Sequence, residues 1–494
     1  MRVSHANGVR FDIKVEKAAL CPKNTQKRKP RPGIRPRKLE WTCVDETDDA
    51  KISELYKQSL LQTHVANTTG LPDGVSGLIA EFVGDDWRMP AKAEADARTK
   101  LLEVIVRRGR ALTTGYGGTG KTEFMKALLK LWKKREPKVN FVLAAFPHTA
   151  ARLMGAGNTL AHVLNSHRYG PPANTVYVID EISQVPMSML SVIARGVHLG
   201  ARFVMLGDFE GQFLPIADGW SSSRPVRDTE LVKDLAGCLH VRLTTNWRCR
   251  DDPAHFERYV GLYPYADASP DVVRAKVREV QRHYRWNKQR QVDIYLVISH
   301  RKRRAVNRKL NLERDAMDGV YIPSVGGVNG LSSQPQAMWL RPGMSVLGCS
   351  GTRKKVINGC EYIVAAVTAD TVTVDMHADY HTGNDKMERG VVLTHPEASK
   401  WLRLAYARCY YPTQGRTLRD AVVMLLDTGH RHFGMRHLIV GLSRVPKSSD
   451  LIIPSAAQEL EFAAELPDVP DEPVNSEETE EQDTPTDSDS EYED

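Results

Sequence analysis

The chain is short of several features that would direct it to other classes of protein. None of its seven cysteines, at positions 21, 43, 238, 249, 349, 360 and 409, forms a close C-x-x-C pair. A zinc ribbon or a disulfide framework is therefore not expected, and a reducing compartment is the simplest setting. No run of 18 apolar residues occurs in the 494 residues, so no membrane-spanning helix is expected. The opening residues, MRVSHANGVRFD, carry no apolar stretch behind a basic start, which argues against a secretory signal. No tandem repeat is visible, and no N-K-x-D sequence of the kind that reads a guanine base.

Basic residues are missing from one end. From Glu459 to Asp494 there are 16 acidic residues and no Lys or Arg, and the rest of the chain holds 68 basic against 45 acidic residues. So basic a body suits a polyanionic partner. The stretch Lys23–Lys38, KNTQKRKPRPGIRPRK, carries eight basic residues and three prolines, which repel one another and block regular pairing. Residues 1–40 are read as a disordered basic arm, a nuclear-import signal or a non-specific DNA-binding arm. Residues 41–88 are read as a small helical extension, and residues 456–494 as a disordered acidic tail.

Between these ends, short apolar runs (ALTT, NFVLAAF, TVYVID, RFVMLGD) alternate with helical stretches such as TEFMKALLKLWKK. In that helix Phe124, Ala127, Leu128 and Leu131 share one face. Buried strands alternating with helices imply an α/β fold with parallel sheets. The expected organisation is a first domain over residues 89–255 and a second over 256–455. Within Gly343–Val374 the pattern changes to GMSVLG, CEYIVAAV and TVTVDM, separated by turns such as Asn358-Gly359. This predicts a small β-barrel inserted at about 340–400.

The strongest chemical signal is GYGGTGKT, Gly115 to Thr122, between a strand and an amphipathic helix. Gly115, Gly117, Gly118, Thr119 and Gly120 let backbone N–H groups close around phosphates. Lys121 can reach the β- and γ-phosphates, and Thr122 can ligate Mg²⁺, so ATP with Mg²⁺ is the expected cofactor. In TVYVIDEIS an apolar strand ends in Asp180, a second candidate for Mg²⁺, and Glu181, a candidate base for the attacking water. In RFVMLGDFEGQFLP a third strand ends at Gly207-Asp208, with Gln212 beyond it; an amide can accept from the water and donate to the γ-phosphate.

With these motifs in hand, residues 90–455 resemble a superfamily-one DNA helicase of the RecD/Pif type. PHTAARLMGAGNTLAHVL, with an Ala-Ala pair at Ala150 and a downstream Thr159-x-x-His162, resembles the family's first strand-contacting motif. LTTNWR ends on Arg248, and IVGLSRV carries Arg444. The resemblance implies that both arginines approach the γ-phosphate from the second-domain side of a cleft. TQGRT resembles the Q-G-x-T motif that couples nucleotide to DNA, which assigns Gln414 and Gly415 to the nucleotide site. The family's His-Lys before that motif is replaced by Tyr411-Pro412, and three residues rather than two separate Asp208 from Gln212. These departures point to a divergent branch, viral or carried by a mobile element. The resemblance implies two RecA-like domains, single-stranded DNA as partner, ATP-driven 5′–3′ movement, no membrane, and work in replication, repair or recombination at a nuclear or viral replication site. Two alternatives stay open: a viral-type RNA helicase, and a P-loop ATPase that binds nucleic acid without efficient unwinding.

Overall fold

The computed structural model describes residues 101–467, apart from segments 156–157, 168–171, 173, 187–188, 191–192, 194–200, 216–228, 287–289, 326–335, 350–354 and 382–387, together with the backbone of three short N-terminal strands. Much of the expected basic arm, most of the helical extension and the acidic residues from 468 onward lie outside the described residues.

The first domain is built on a six-stranded, fully parallel sheet. Its strands are β1 (Arg110–Gly115), β2 (Asn140–Ala145), β3 (Thr175–Asp180), β4 (Arg202–Gly207) and β5 (Leu239–Leu243), with Thr42–Asp45 as the sixth. The order across the sheet is Thr42–Asp45, β5, β1, β4, β3, β2. Helices α1 (Lys121–Arg135), α2 (His148–Leu153), α3 (Leu160–Ser166) and α4 (Glu230–Leu235) connect these strands. Two separate apolar clusters line the sheet, one with Phe124, Trp132 and Val178, the other with Ile179, Phe203 and Met205. That is the two-faced burial expected of a parallel sheet, and it explains why the strands read as unbroken apolar runs. On α1 the buried stripe is Phe124, Met125, Leu128 and Trp132. The expected face is thus rotated toward Trp132, leaving Ala127 and Leu131 partly buried at its edge.

Helices α5 (Pro253–Val260) and α6 (Pro270–Gln281) lead into the second domain. Its sheet comprises β6 (Ile294–Val297), then β14 (Ala407–Cys409), β15 (Val423–Leu425) and β16 (Leu451–Ile452), parallel in the order β14, β6, β15, β16. Helix α7 (His300–Asp315) packs on one face, and α9 (Met435–Leu442) with α5 and α6 on the other. Between α7 and β14 lies the insertion. A hairpin of β7 (Val320–Ile322) and β8 (Met338–Leu340) precedes β9 (Ser345–Gly348), β10 (Glu361–Val367), β11 (Thr371–Met376), β12 (Val391–Thr394), the short helix α8 (His395–Trp401) and β13 (Leu402–Leu404). The expected barrel is an antiparallel sheet in the order β12, β11, β10, β9, β13, curled around its own core of Val346, Tyr362, Val374 and Leu393. Its ladder reaches Leu404 through β13, past the anticipated end near residue 400. The insertion also touches the first domain: Leu153 packs against its core, and Arg152 pairs with Glu388 at 3.1 Å, both buried.

The two ends of the chain hold three further elements. Arg2–Ser4 pairs antiparallel with Arg10–Asp12 within the arm. Thr42–Asp45, at the head of the supposed helical extension, is a strand parallel to β5. It covers an edge whose N–H and C=O groups would otherwise lack sheet partners. The tail is not structureless from 456, because α10 (Ala456–Ala464) is a helix with a Ser455/Gln458 capping box. Phe462 stacks on Tyr295 at 5.3 Å, and Glu459 pairs with Lys302 at 2.8 Å. No helix among the described residues is long and apolar enough to cross a membrane.

Candidate functional site

Parallel strands deliver their C-terminal ends to one edge of a sheet, and the loops there form the site. At that edge β1 ends on Gly115, β3 on Asp180 and β4 on Gly207, next to Asp208. The loop after β1 turns into α1 through Gly118 (φ 89°) and Gly120 (φ 81°), a left-handed backbone that glycine adopts without Cβ strain. The Thr119 hydroxyl donates to the Tyr116 carbonyl at 2.9 Å, tightening the loop. Lys121 donates to the carbonyls of Gly115 (2.7 Å) and Tyr116 (3.1 Å), so its ammonium lies over the loop. Thr122 occupies the next helical position.

Three buried carboxylates face this loop. Asp180 is pushed up to about 7 by burial and by Glu181 beside it, while Lys121 pulls it down. Glu181 has φ 52°, an unfavourable backbone for a non-glycine residue. Burial raises its carboxyl, whereas Lys121 and Arg444 lower it and Asp208 raises it again. The Glu181 N–H donates to Asp180 Oδ1 at 2.8 Å. Gln212 accepts from the Ser183 hydroxyl at 3.2 Å and also bonds Glu181, so the extra residue between Asp208 and Gln212 does not remove the amide from the site. Among these groups, Asp180 and the Thr122 hydroxyl are hard oxygen donors, and a buried carboxylate resisting ionisation is one whose charge a divalent cation would offset. Mg²⁺ fits that donor set.

The second domain closes the site. Arg444 is fully buried at the end of α9 and is drawn down to about 10, first by burial, then by Arg248. Its Nη1 donates to the carbonyls of Thr413 (3.3 Å) and Arg416 (3.0 Å), its Nε to Val440 O (3.0 Å), and its Nη2 to Ser443 Oγ (2.8 Å). A Cβ at Gly117 would lie 3.5 Å from Arg444 Nη2, so the guanidinium borders the phosphate loop. Arg248 follows β5 and therefore belongs to the first-domain side, not to the second as the resemblance implied. Its N–H donates to Gly118 O at 3.2 Å, and its side chain crosses to the Ser443 carbonyl. The Gln414 amide oxygen accepts from Phe213 N at 2.7 Å, joining the two domains. Gly415 (φ 74°) backs onto Glu181, where a Cβ would lie 2.9 Å from Oε1, on a left-handed backbone that favours glycine.

Several contributors left no mark in the sequence. The Tyr263 hydroxyl donates to Asp208 at 2.7 Å and accepts from Gly117 N at 3.2 Å, while Tyr259 donates to Gly117 O at 2.6 Å. Two tyrosines thus fix both polar groups of one loop residue. Arg436 donates to the Gln212 carbonyl and pairs with Asp267 at 3.0 Å, holding the Gln212 segment against α9. Tyr411, at a departure from the family pattern, packs on Phe213 with ring centroids 5.8 Å apart. Thr159 of the T-x-x-H sequence caps α3, accepting from His162 N at 3.3 Å; buried Ala150 lies inside α2.

Taken together, two RecA-like sheets with a phosphate loop at the edge of one and an arginine from the other define a two-domain P-loop fold. The family model described as an AAA domain matches residues 96–254. Among solved structures, that of two coordinating Pif1 helicases on forked double-stranded DNA aligns at 20% identity and a TM-score of 0.52, over 74% of this chain and 95% of that one. The Pif1 helicase of Candida albicans aligns at 18% identity and a TM-score of 0.51, over 74% and 98%. No curated protein sequence matches. The chain has the fold of the Pif1 helicases.

Proposed function

We propose that the chain is an ATP-driven motor that moves on single-stranded DNA, 5′ to 3′, and unwinds duplex ahead of it. The observation that carries this reading is the meeting of Lys121, Glu181 and Arg444 across the two domains. A loop that only bound nucleotide would not need a buried carboxylate and a second-domain arginine at the same phosphates. Lys121 holds the β- and γ-phosphates, Thr122 and Asp180 would hold Mg²⁺, which would offset phosphate charge, and Glu181 takes the proton of the attacking water. Arg444, with Arg248, stabilises charge on the transferring phosphoryl group. Because Arg444 and Gly415 belong to the second domain, nucleotide draws the domains together and hydrolysis releases them, which moves a strand bound across both. The fold shared with the Pif1 helicases and the basic body support DNA as the track. The test is ATP hydrolysis by the full chain with and without oligo(dT), compared with oligo(U). Stimulation by oligo(dT) and strand separation from a 5′ tail are expected; stimulation by RNA alone would make the chain an RNA motor, and neither would leave an ATPase without a track.

A further inference from the structure

The phosphate loop is held from the second domain at a residue that has no side chain of its own. Helix α5 and the short 3-10 turn after it, Tyr263–Tyr265, put Tyr259 and Tyr263 into the apolar core of the second domain, beside Leu262, Ile439 and Leu442. Both tyrosines are buried, yet their hydroxyls leave that core and reach the first domain. Each meets a different polar group of Gly117. Tyr263 Oη accepts from its N–H at 3.2 Å, and Tyr259 Oη donates to its carbonyl at 2.6 Å. A loop residue whose donor and acceptor are both taken by side chains of the other domain cannot turn without breaking a buried hydrogen bond.

Tyr263 is also tied behind the loop. It donates its one hydroxyl proton to Asp208 Oδ2 at 2.7 Å, and Asp208 Oδ1 accepts from the N–H groups of Glu210 and Gly211 at 3.2 and 3.0 Å, so the anchor is fixed to the end of β4. Burial, and then the Asp208 carboxylate, raises the hydroxyl well above its ordinary range and keeps the proton on it. The ring is seated against bare backbone, since a Cβ at Gly211 would lie 2.3 Å from it, and Tyr116 packs on it edge-on at 4.6 Å. Packing therefore places the ring, and the hydroxyl reaches the loop. What the two hydroxyls set is the position of Gly117 beside α9. A Cβ there would lie 3.1 Å from Ser443 Cβ and 3.5 Å from Arg444 Nη2. Lys121 and Thr122 stand four and five residues further along, at the start of α1.

We propose that Tyr263, together with Tyr259, is a positioning residue for phosphoryl transfer, its hydroxyl holding Gly117 in place beside Arg444 while the phosphoryl group moves. The effect falls on the transition state, where the arginine's charge acts, and not on the ground-state grip of Lys121. This role rests on the ATP hydrolysis proposed above. The experiment is steady-state ATP hydrolysis by the full chain carrying Tyr263→Phe, Tyr259→Phe or Tyr284→Phe, each of which removes a hydroxyl and keeps the ring. Tyr284 is the control, because it lies in the same core while its hydroxyl bonds His255 Nδ1 at 2.8 Å. Tyr263→Phe is expected to lower kcat about tenfold at unchanged KM for ATP, the loss of a hydrogen bond to a charged partner. Tyr259→Phe should lower kcat to a smaller degree, and Tyr284→Phe should leave both constants unchanged. If Tyr263→Phe fails to fold, Tyr259→Phe decides by the same split between kcat and KM. A raised KM at normal kcat, unchanged constants in both loop-facing variants, or an equal loss of kcat in Tyr284→Phe overturns the assignment. Failure of the motor reading would appear separately, as absent ATP hydrolysis by the wild-type chain.

Discussion

At the scale of single residues, the phosphate site divides labour among groups that cannot replace one another. The loop places no other side-chain ammonium where Lys121 lies, so Lys121→Ala is expected to abolish ATP hydrolysis. Glu181→Gln keeps the shape of the side chain but not its capacity to take a proton, so it should bind nucleotide and turn it over far more slowly. Arg444 differs, since four hydrogen bonds hold it in place. Arg444→Ala should lower kcat by roughly 10³-fold with ground-state binding little changed; a raised KM at normal kcat would make it a structural arginine. Lys121 and Glu181 were legible from sequence because their chemistry is local, a loop of eight residues and an apolar strand ending in two acids, whereas Arg444 was reached only through the family resemblance. Tyr259, Tyr263 and Arg436 were not, because each acts through a contact between segments distant along the chain, and nothing in a lone tyrosine marks its hydroxyl as the partner of a loop amide.

At the scale of elements, two helices couple composition to stability in ways the sequence only half disclosed. In α9, His437 accepts from Gly434 N through Nδ1 at 3.1 Å and packs on Phe213 at 4.6 Å. Burial depresses its pKa to about 4, against weaker opposing pull from the Gly434 bond and Asp427. The unfolded chain then binds a proton that the folded one refuses, so stability is full above about pH 6.5 and falls as pH drops toward 4. Denaturant melts at pH 7 and pH 5 should show that loss, and His437→Asn should reduce it. Helix α10 was hidden by its acidic composition, which read as tail, although Ser455 and Gln458 stand at capping-box spacing before Phe462. Lys302 shows how firmly it is held: burial pulls its ammonium down, yet Asp427 and Glu459 raise it above the ordinary value. Truncation after residue 467 should leave the thermal midpoint unchanged. Truncation after 455 should lower it by several degrees, since losing a buried aromatic such as Phe462 alone costs about 3 kcal/mol.

At the scale of the whole molecule, charge is the property that α10 redistributes. Its anchored acids, Glu459 above all, are spent on Lys302 and the Asp427 backbone. They cannot also act as a mobile mimic of nucleic acid, so any competition with DNA must come from residues 468–494, which hold 13 acidic residues and no basic ones. The remainder of the chain then holds 68 basic against 48 acidic residues. A strand bound mainly through phosphates releases counterions, and its affinity should fall with salt at a log–log slope of about −0.7 per phosphate neutralised. A tethered polyanion competes for the same cations, but its reach is screened beyond about 10 Å at 0.1 M salt. Removing 468–494 should therefore tighten oligo(dT) binding at low salt, with the gain fading as salt rises, while the thermal midpoint stays fixed because α10 remains. The measurement is a salt series of oligo(dT) affinity for the full chain and for the chain ending at Pro467. Unchanged affinity at low ionic strength would reduce the acidic segment to a solubilising role. A gain that persisted at high salt would point to steric obstruction of the strand path and not to electrostatic competition.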